Sequence, residues 1–429
     1  MINRDYYLNK IISKRWNGMV KIITGIRRCG KSVLLFDLYR QYLLDNGVRS
    51  ENIIVIKLDE RMNMQYRNPN VLCDYIRDIV KDSNDKFYIM IDEVQLIEKK
   101  KVQGIDAEVG LYEVLNELNG YKNADVYVTG SNSKMLSSDI ATEFRGRGDE
   151  IRVHPLSFKE FYDNYSGDKH NAWKEYVLYG GMPQVANIEK YEEKSKYLKD
   201  LLNKVYISDV IERNRLRSDA YVLGEVLDVM ASSVGSLTSP TKLANTFKSV
   251  TNQSVSVTAL FNYLDCFVDS FLIKRANRYD IKGREYIGSP AKYYFEDIGL
   301  RNARLDFKEP EDPHVMESVI YNELVIRGFD VDVGVIEYFV KNKEGKNERA
   351  NLEIDFVCNK GNERYYIQSA YAIPNKEKRE QEIRGFNKID DSYQKIVVVK
   401  DNIISQKDEN GILYVGIEEF LLNDTIVKY

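Results

Sequence analysis

Eight residues constrain this 429-residue chain more than any others: Gly25-Ile26-Arg27-Arg28-Cys29-Gly30-Lys31-Ser32. They follow a short apolar run, VKIIT at 20–24. They precede a segment in which Val33, Leu34, Leu38, Tyr42 and also Leu35 predict one helical face, ended at Gly47. A strand, a glycine-bearing turn closing on Gly-Lys-Ser, and a helix together make a phosphate cradle. Glycines let backbone N–H groups turn toward phosphate oxygens. Lys31 places its charge on the β and γ phosphates, the Ser32 hydroxyl can ligate Mg²⁺, and the helix N-terminus adds partial positive charge. Gly25, Ile26, Arg27, Arg28, Cys29, Gly30, Lys31, Ser32 and Val33 are therefore the candidate nucleotide contacts, with ATP and Mg²⁺ as the expected ligands.

The segments that follow predict the sheet this cradle requires. Residues 53–58 (IIVIKL), 87–91 (FYIMI) and 125–129 (DVYVT) read as strands, with IRV at 151–153 as a fifth. Helical patterns lie near 71–81 and 108–119. Continuous apolar strands alternating with helices predict an α/β fold with a parallel sheet covered on both faces. The third strand ends in Asp92-Glu93. A nucleotide-hydrolysing site needs an Asp here to anchor the metal shell and an acid beside it to polarise water. Asp92 and Ser32 are thus the candidate metal residues, and Glu93 and Lys31 the candidate catalytic ones. Thr129-Gly130-Ser131-Asn132-Ser133 follows the fourth strand and can present a polar group to the γ-phosphate. Arg145-Gly146-Arg147 comes next, and an arginine that reaches this phosphate, in cis or from a neighbouring subunit, stabilises transition-state charge.

Beyond residue 155 the pattern changes. Residues 157–235 are mostly helical in pattern and rich in charge. Ser239-Pro240 opens a helix, Ser256 caps another over 257–268, and 271–276 with 284–287 predict a hairpin around Lys282-Gly283, the outline of a winged helix. Residues 305–314 carry Pro310 and Pro313 among acids and read as a linker; a helix at 316–327, strands at 331–340, 352–358 and 364–370, and KIVVV at 395–399 follow. The expected domains are 1–156 (P-loop core), 157–235 (helical lid), 236–304 (winged helix) and 305–429 (α/β). Residues 239–304 hold ten Lys/Arg against six Asp/Glu, whereas 305–429 hold seventeen against twenty-five. The middle segment is therefore the better candidate for meeting nucleic acid, through Lys242, Lys248, Arg275, Arg278, Lys282 and Arg284. The four cysteines are widely spaced, which predicts reduced thiols rather than disulfides or a zinc site. No apolar run approaches the ~18–20 residues of a spanning helix, and the N-terminus has no secretory h-region, so a cytoplasmic protein is expected.

The strings GIRRCGKS, FYIMIDE, VTGSNSKML, FRGRGDEIRVHPLSFKEF and, at 179–183, YGGMP together resemble the prokaryotic AAA+ ATPases that carry a C-terminal domain of unknown function, DUF4143. The resemblance implies a five-stranded AAA+ core, a helical lid and a winged helix. It assigns Lys31 and Ser32 to Walker A and Asp92 and Glu93 to Walker B. It matches Asn132 or Ser131 to the sensor-1 position, and Arg147, ahead of Arg145, to the arginine near the nucleotide. The C-terminal part resembles a PD-(D/E)XK endonuclease-like fold, with Glu317, Glu353, Asp355 and Gln368 in the pattern of its acids but Ala370 where its lysine stands. An ATP-hydrolysing protein is the leading expectation, with possible homo-oligomers and no membrane. A nucleotide-gated DNA-binding regulator is the alternative, and an ATP-dependent nuclease is disfavoured by Ala370.

Overall fold

Four short, largely apolar segments and one charged edge strand form one parallel sheet in the computed structural model. They are β1 (Val20–Thr24), β2 (Ile53–Lys57), β3 (Phe87–Asp92), β4 (Ala124–Thr129) and β5 (Gly148–Arg152), in the order β2-β3-β4-β1-β5. Every residue of β1 and of β3 is buried, as strands covered on both faces must be. Described are residues 2–101, 108–130, 146–214, 216, 220–251, 254–308, 312–341 and 347–427. Two compact units divide them, Met1–Pro155 with Asp269–Phe271, and Leu156–Val268 with Leu272–Tyr429.

In the first unit the helices are α1 (Asp5–Ser13), α2 (Arg40–Asp45), α3 (Pro69–Val80) and α4 (Leu111–Asn119). The helix that leaves the phosphate cradle is widened to π geometry over Val33–Tyr39 before it continues as α2. Its buried face is Leu34, Leu35, Phe36, Tyr39 and Leu43, while Val33 is exposed. The predicted face of Val33, Leu34, Leu38 and Tyr42 assumed 3.6 residues per turn; the wider winding moves it forward to Tyr39 and Leu43. Lys21 is wholly buried on β1 and is neutralised by an ion pair with Asp125, to which Tyr127 also donates a hydrogen bond at 2.6 Å.

The second unit opens with helices α5 (Phe158–Asn164), α6 (Ala172–Tyr179), α7 (Tyr191–Asp200), α8 (Ser208–Asn214) and α9 (Ala220–Ser232). The Tyr179-Gly180-Gly181 turn has a packing reason. Asp297 accepts hydrogen bonds from the N–H groups of Gly181 (2.6 Å) and Leu300 (3.1 Å). Burial pushes its carboxyl up to about 6. A Cβ on Gly181 would stand 2.2 Å from the Leu156 carbonyl oxygen.

Helices α10 (Pro240–Thr251) and α11 (Val257–Asp269) lead to the hairpin of β6 (Ile273–Asp280) and β7 (Glu285–Phe295), turning at Lys282-Gly283 as the sequence predicts. Its strands run further than expected, because β6 pairs in parallel with β8 (Asp330–Lys341). The hairpin is thus the edge of an eight-stranded sheet with β9 (Asn347–Lys360), β10 (Glu363–Ala370), β11 (Gln394–Val399), β12 (Gln406–Lys407) and β13 (Leu413–Gly416). The order is β12-β13-β11-β10-β9-β8-β6-β7. After α12 (Ile298–Arg304), helix α13 (Asp312–Ile326) is buried without a break from Val315 to Leu324, and its buried acids are paired, Glu317 with Lys292 and Glu323 with Arg327.

One ammonium pins three of these elements. Lys292 on β7 lies 2.8 Å from Glu317 of α13, 2.7 Å from Glu353 of β9 and 3.6 Å from Asp355 of β9. Tyr294 adds a hydrogen bond to Glu317 at 2.6 Å. The Lys292 charge, with hydrogen bonds from His314, Lys292 and Tyr294, holds Glu317 below the usual carboxylate range despite its burial. Burial, with the Glu317 charge next to it, pushes the Asp355 carboxyl up to about 7, against the pull of Lys292.

Removing Lys292 leaves these carboxylates without their cation, so Lys292→Ala is expected to cost about 3–5 kcal/mol of stability, read from a urea unfolding midpoint. Gly181→Ala is expected to cost about 1–3 kcal/mol or more, because the new methyl meets backbone that cannot turn away. The raised folded pKa of Asp355 means the folded state holds that proton more tightly than the unfolded chain. Its contribution is full below about pH 4 and is lost as pH rises through about 7. Asp355→Asn should therefore lose less stability than wild type as pH rises from about 4 to 7 in matched denaturant titrations.

Candidate nucleotide site

Parallel strands send their C-terminal ends to one edge of a sheet, and the candidate residues gather there. The turn after β1 curls as a cradle must: Gly25 has φ +138°, Arg28 +60° and Gly30 +100°. A Cβ on Gly25 would lie 2.1 Å from the carbonyl oxygen of Val153, just past β5, so only glycine passes. The side chains of Ile26 and Cys29 are fully buried, which leaves their backbone as the part that a ligand can meet, whereas Arg28 is exposed. Lys31 is buried, and its ammonium donates to the carbonyls of Gly25 (2.9 Å) and Ile26 (3.0 Å).

Strand β3, adjacent to β4, delivers Asp92 to the same edge. Asp92 is buried and accepts hydrogen bonds from the hydroxyls of Thr129 and Ser32. Burial raises its pKa, and those two hydrogen bonds oppose the shift. The Thr129 hydroxyl faces both acids: it donates to Asp92 and accepts from the Glu93 N–H at 3.2 Å. Glu93 takes the left-handed conformation, φ +53° and ψ +49°, which costs a residue with a Cβ about 1–2 kcal/mol. The Gln95 side-chain amide donates to its carboxylate. Gln95 was not singled out from sequence, and Thr129 was named only as the start of the Thr129–Ser133 motif, not as a partner of Asp92 and Glu93. The signal for Thr129 was its place as the last residue of the strand beside β3, where a hydroxyl reaches across to the neighbouring strand end.

Arg147 is not brought to this edge. Its carbonyl accepts from the Val20 N–H, and the next residue, Gly148, pairs with Val20, the first residue of β1. The cradle follows the last residue of β1, about 13 Å further along the strand at ~3.3 Å per residue. The Arg147 guanidinium instead donates to Asn116 of α4 at 2.7 Å. The expected arginine beside the nucleotide of its own chain is therefore not Arg147, because β5 runs parallel to β1 and places its own start at the opposite edge. Ser131, Asn132 and Arg145 lie outside the described residues.

In the second unit, Glu317, Glu353 and Asp355 do come together, and Gln368 accepts from the Asp355 N–H at 3.4 Å. Ala370 packs with Tyr366, Val397 and Val399 in an apolar cluster. The ammonium in this acid set is that of Lys292, sixty-odd residues upstream of Asp355 and invisible to a pattern read along the strands. Among the described residues, no group of three or more His, Cys, Asp or Glu side chains is arranged to hold a metal ion. All four cysteines are buried, and none is in a disulfide. No described helix is long and apolar enough to cross a membrane.

Comparison with known proteins agrees with the first unit and corrects one expectation for the second. A family model described as an AAA domain matches residues 17–162. Residues 170–311 match a domain of unknown function, DUF8612, and not the expected DUF4143. Among solved structures, the chain is similar to the Aeropyrum pernix ORC1 protein in complex with DNA, at 12% identity over 73% of this chain and 94% of that one (TM-score 0.30). It is also similar to AMPPCP-bound DnaA from Aquifex aeolicus, at 15% identity over 62% and 87% (TM-score 0.28). An uncharacterized protein of Methanocaldococcus jannaschii is 28% identical over 99% of this chain and 88% of its own length. An uncharacterized protein of Haemophilus influenzae is 32% identical over 98% of this chain and 99% of its own. The chain belongs to the family of that Haemophilus influenzae protein, and its residues 17–162 match the AAA domain model.

Proposed function

We propose that this protein binds ATP with Mg²⁺ at Gly25–Ser32 and hydrolyses it. The observation that carries the reading is the hydroxyl bridge at the strand ends, where Thr129 links Asp92 to the Glu93 backbone and Ser32 reaches Asp92 from the cradle. A buried carboxylate held by two hydroxyls fits a hydrated divalent cation better than a bare structural role, because Ser32 and Asp92 can both turn oxygen toward it. Mg²⁺, when bound, neutralises charge on the β and γ phosphates. The residues of the chain do the rest. Lys31 exchanges its carbonyl partners for phosphate oxygens. Glu93, fixed by its backbone hydrogen bond and by Gln95, orients and deprotonates the attacking water. Ile26 contributes its backbone N–H group, and Asn132 or Ser131 is assigned to the γ-phosphate. Arg147 has no place at the nucleotide of its own chain, so any such role falls to a nucleotide bound by another copy in a homo-oligomer.

A second reading, a nucleotide-gated DNA-binding regulator using a winged helix, is favoured by one observation. Lys242, Lys248, Lys282 and Arg284 are exposed, and none joins an ion pair among the described residues; Arg275 and Arg278 are half-buried. Such binding is expected to weaken steeply with salt, and anisotropy of labelled duplex DNA across a salt series tests it. The acid set around Lys292 supports packing rather than cleavage, since a lysine already stands among the carboxylates that a nuclease would give to a metal.

Steady-state phosphate release tests the leading reading. Glu93→Gln is expected to lower kcat by about 10²–10⁴ while ATP binding persists. Lys31→Ala is expected to abolish binding, measured by titration calorimetry. Hydrolysis by Glu93→Gln at the wild-type rate overturns the role given to Glu93. Thr129→Val removes both hydrogen bonds of the bridge at almost constant volume and is expected to lower kcat about tenfold or more.

A further inference from the structure

We propose that Arg4, at the entrance to α1, is a positioning residue that sets the orientation of the phosphate cradle; this rests on reading the cradle as a nucleotide site. Arg4 is buried, and its guanidinium forks between two backbone carbonyls, Cys29 at 2.9 Å and His154 at 2.7 Å. One carbonyl belongs to the cradle and the other to the segment leaving β5. The same segment is gripped twice more. The Cys29 thiol donates to the Val153 carbonyl at 3.3 Å, and the His154 N–H donates to the Tyr7 hydroxyl at 3.2 Å. Tyr7 is buried on α1, with its ring 4.7 Å from the Arg4 guanidinium. Arg4 and Tyr7 thus clasp the cradle to the end of β5.

The consequence for a ligand follows from peptide geometry. In a planar trans peptide, C=O and N–H point in opposite directions. By drawing the Cys29 carbonyl toward itself, Arg4 turns the Gly30 N–H to the other side, where an anion can accept from it. This peptide unit turns about the ψ of Cys29 and the φ of Gly30, and at Gly30, with φ +100°, a glycine offers little resistance to that rotation. A rotated peptide would put a carbonyl oxygen where phosphate oxygens belong. It would also leave one arm of a buried guanidinium without its acceptor. A planar fork suits this task, and the point charge of lysine does so less well. Nothing in the motif itself announces the residue, which lies 21 positions before the first glycine of the cradle.

Calorimetric titration of the full chain with Mg·ADP tests the proposal, using wild type, Arg4→Ala, Arg4→Lys and Tyr7→Phe. Arg4→Ala is expected to bind about tenfold or more weakly at unchanged stoichiometry and unchanged far-UV circular dichroism, with Arg4→Lys between it and wild type. A dissociation constant for Arg4→Ala within about twofold of wild type overturns the proposal. So does a reduced stoichiometry at unaltered affinity, the mark of a residue that only keeps molecules folded. Should Arg4→Ala fail to fold, Arg4→Lys and Tyr7→Phe decide by the same two criteria. If wild type itself does not bind Mg·ADP, the nucleotide reading fails first, and that is visible before any variant is made.

Discussion

Strand polarity is the constraint on which the first unit depends. Because β1, β3 and β4 run the same way and lie side by side in the order β3-β4-β1, the cradle, Asp92-Glu93 and Thr129 leave the sheet at one edge. No loop has to travel to bring them together. The same polarity sends whatever precedes β5 to the opposite edge, which is why Arg147 sits near Val20 rather than near Lys31. A single geometric rule thus explains one assembled set and one excluded residue. It also explains the clasp: the segment leaving β5 emerges beside the cradle, close enough that the Val153 carbonyl excludes any side chain at Gly25.

What was legible in the sequence follows from which interactions are local. Most strands of the two sheets, though not β12 or β13, and the hairpin turn at Lys282-Gly283 announce themselves through apolar runs and turn residues within a few positions. The helix after the cradle was placed correctly but its face was not, because the shift from Leu38 and Tyr42 to Tyr39 and Leu43 depends on a winding that composition does not encode. Ser32, Asp92 and Glu93 were readable because each sits at a fixed offset from an apolar strand. Thr129 is harder, since its significance lies in the neighbouring strand end. Arg4 and Lys292 are harder still. Each is a lone basic residue whose partners are distant in sequence, and its role exists only once separate elements have been folded against one another.

The two acid sets show what decides whether buried carboxylates stay available. In both, burial disfavours the charged form, and Asp92 and Asp355 are pushed upward alike. Around Asp355 the fold supplies its own cation: Lys292 is close to wholly buried, and it reaches Glu317 and Glu353 at hydrogen-bonding distance. Such an internal ion pair gains its attraction without any ligand, and a metal ion would have to displace an ammonium already desolvated there. Around Asp92 the partners that the fold provides are hydroxyls, which are dipoles and not charges. A dipole lowers the cost of burying a carboxylate without cancelling its field. The Asp92 set therefore retains an attraction for an incoming cation that the Asp355 set has already spent on Lys292. The same residue types, a buried strand Asp with a Glu close by, diverge in chemistry through the single question of where the nearest positive charge comes from.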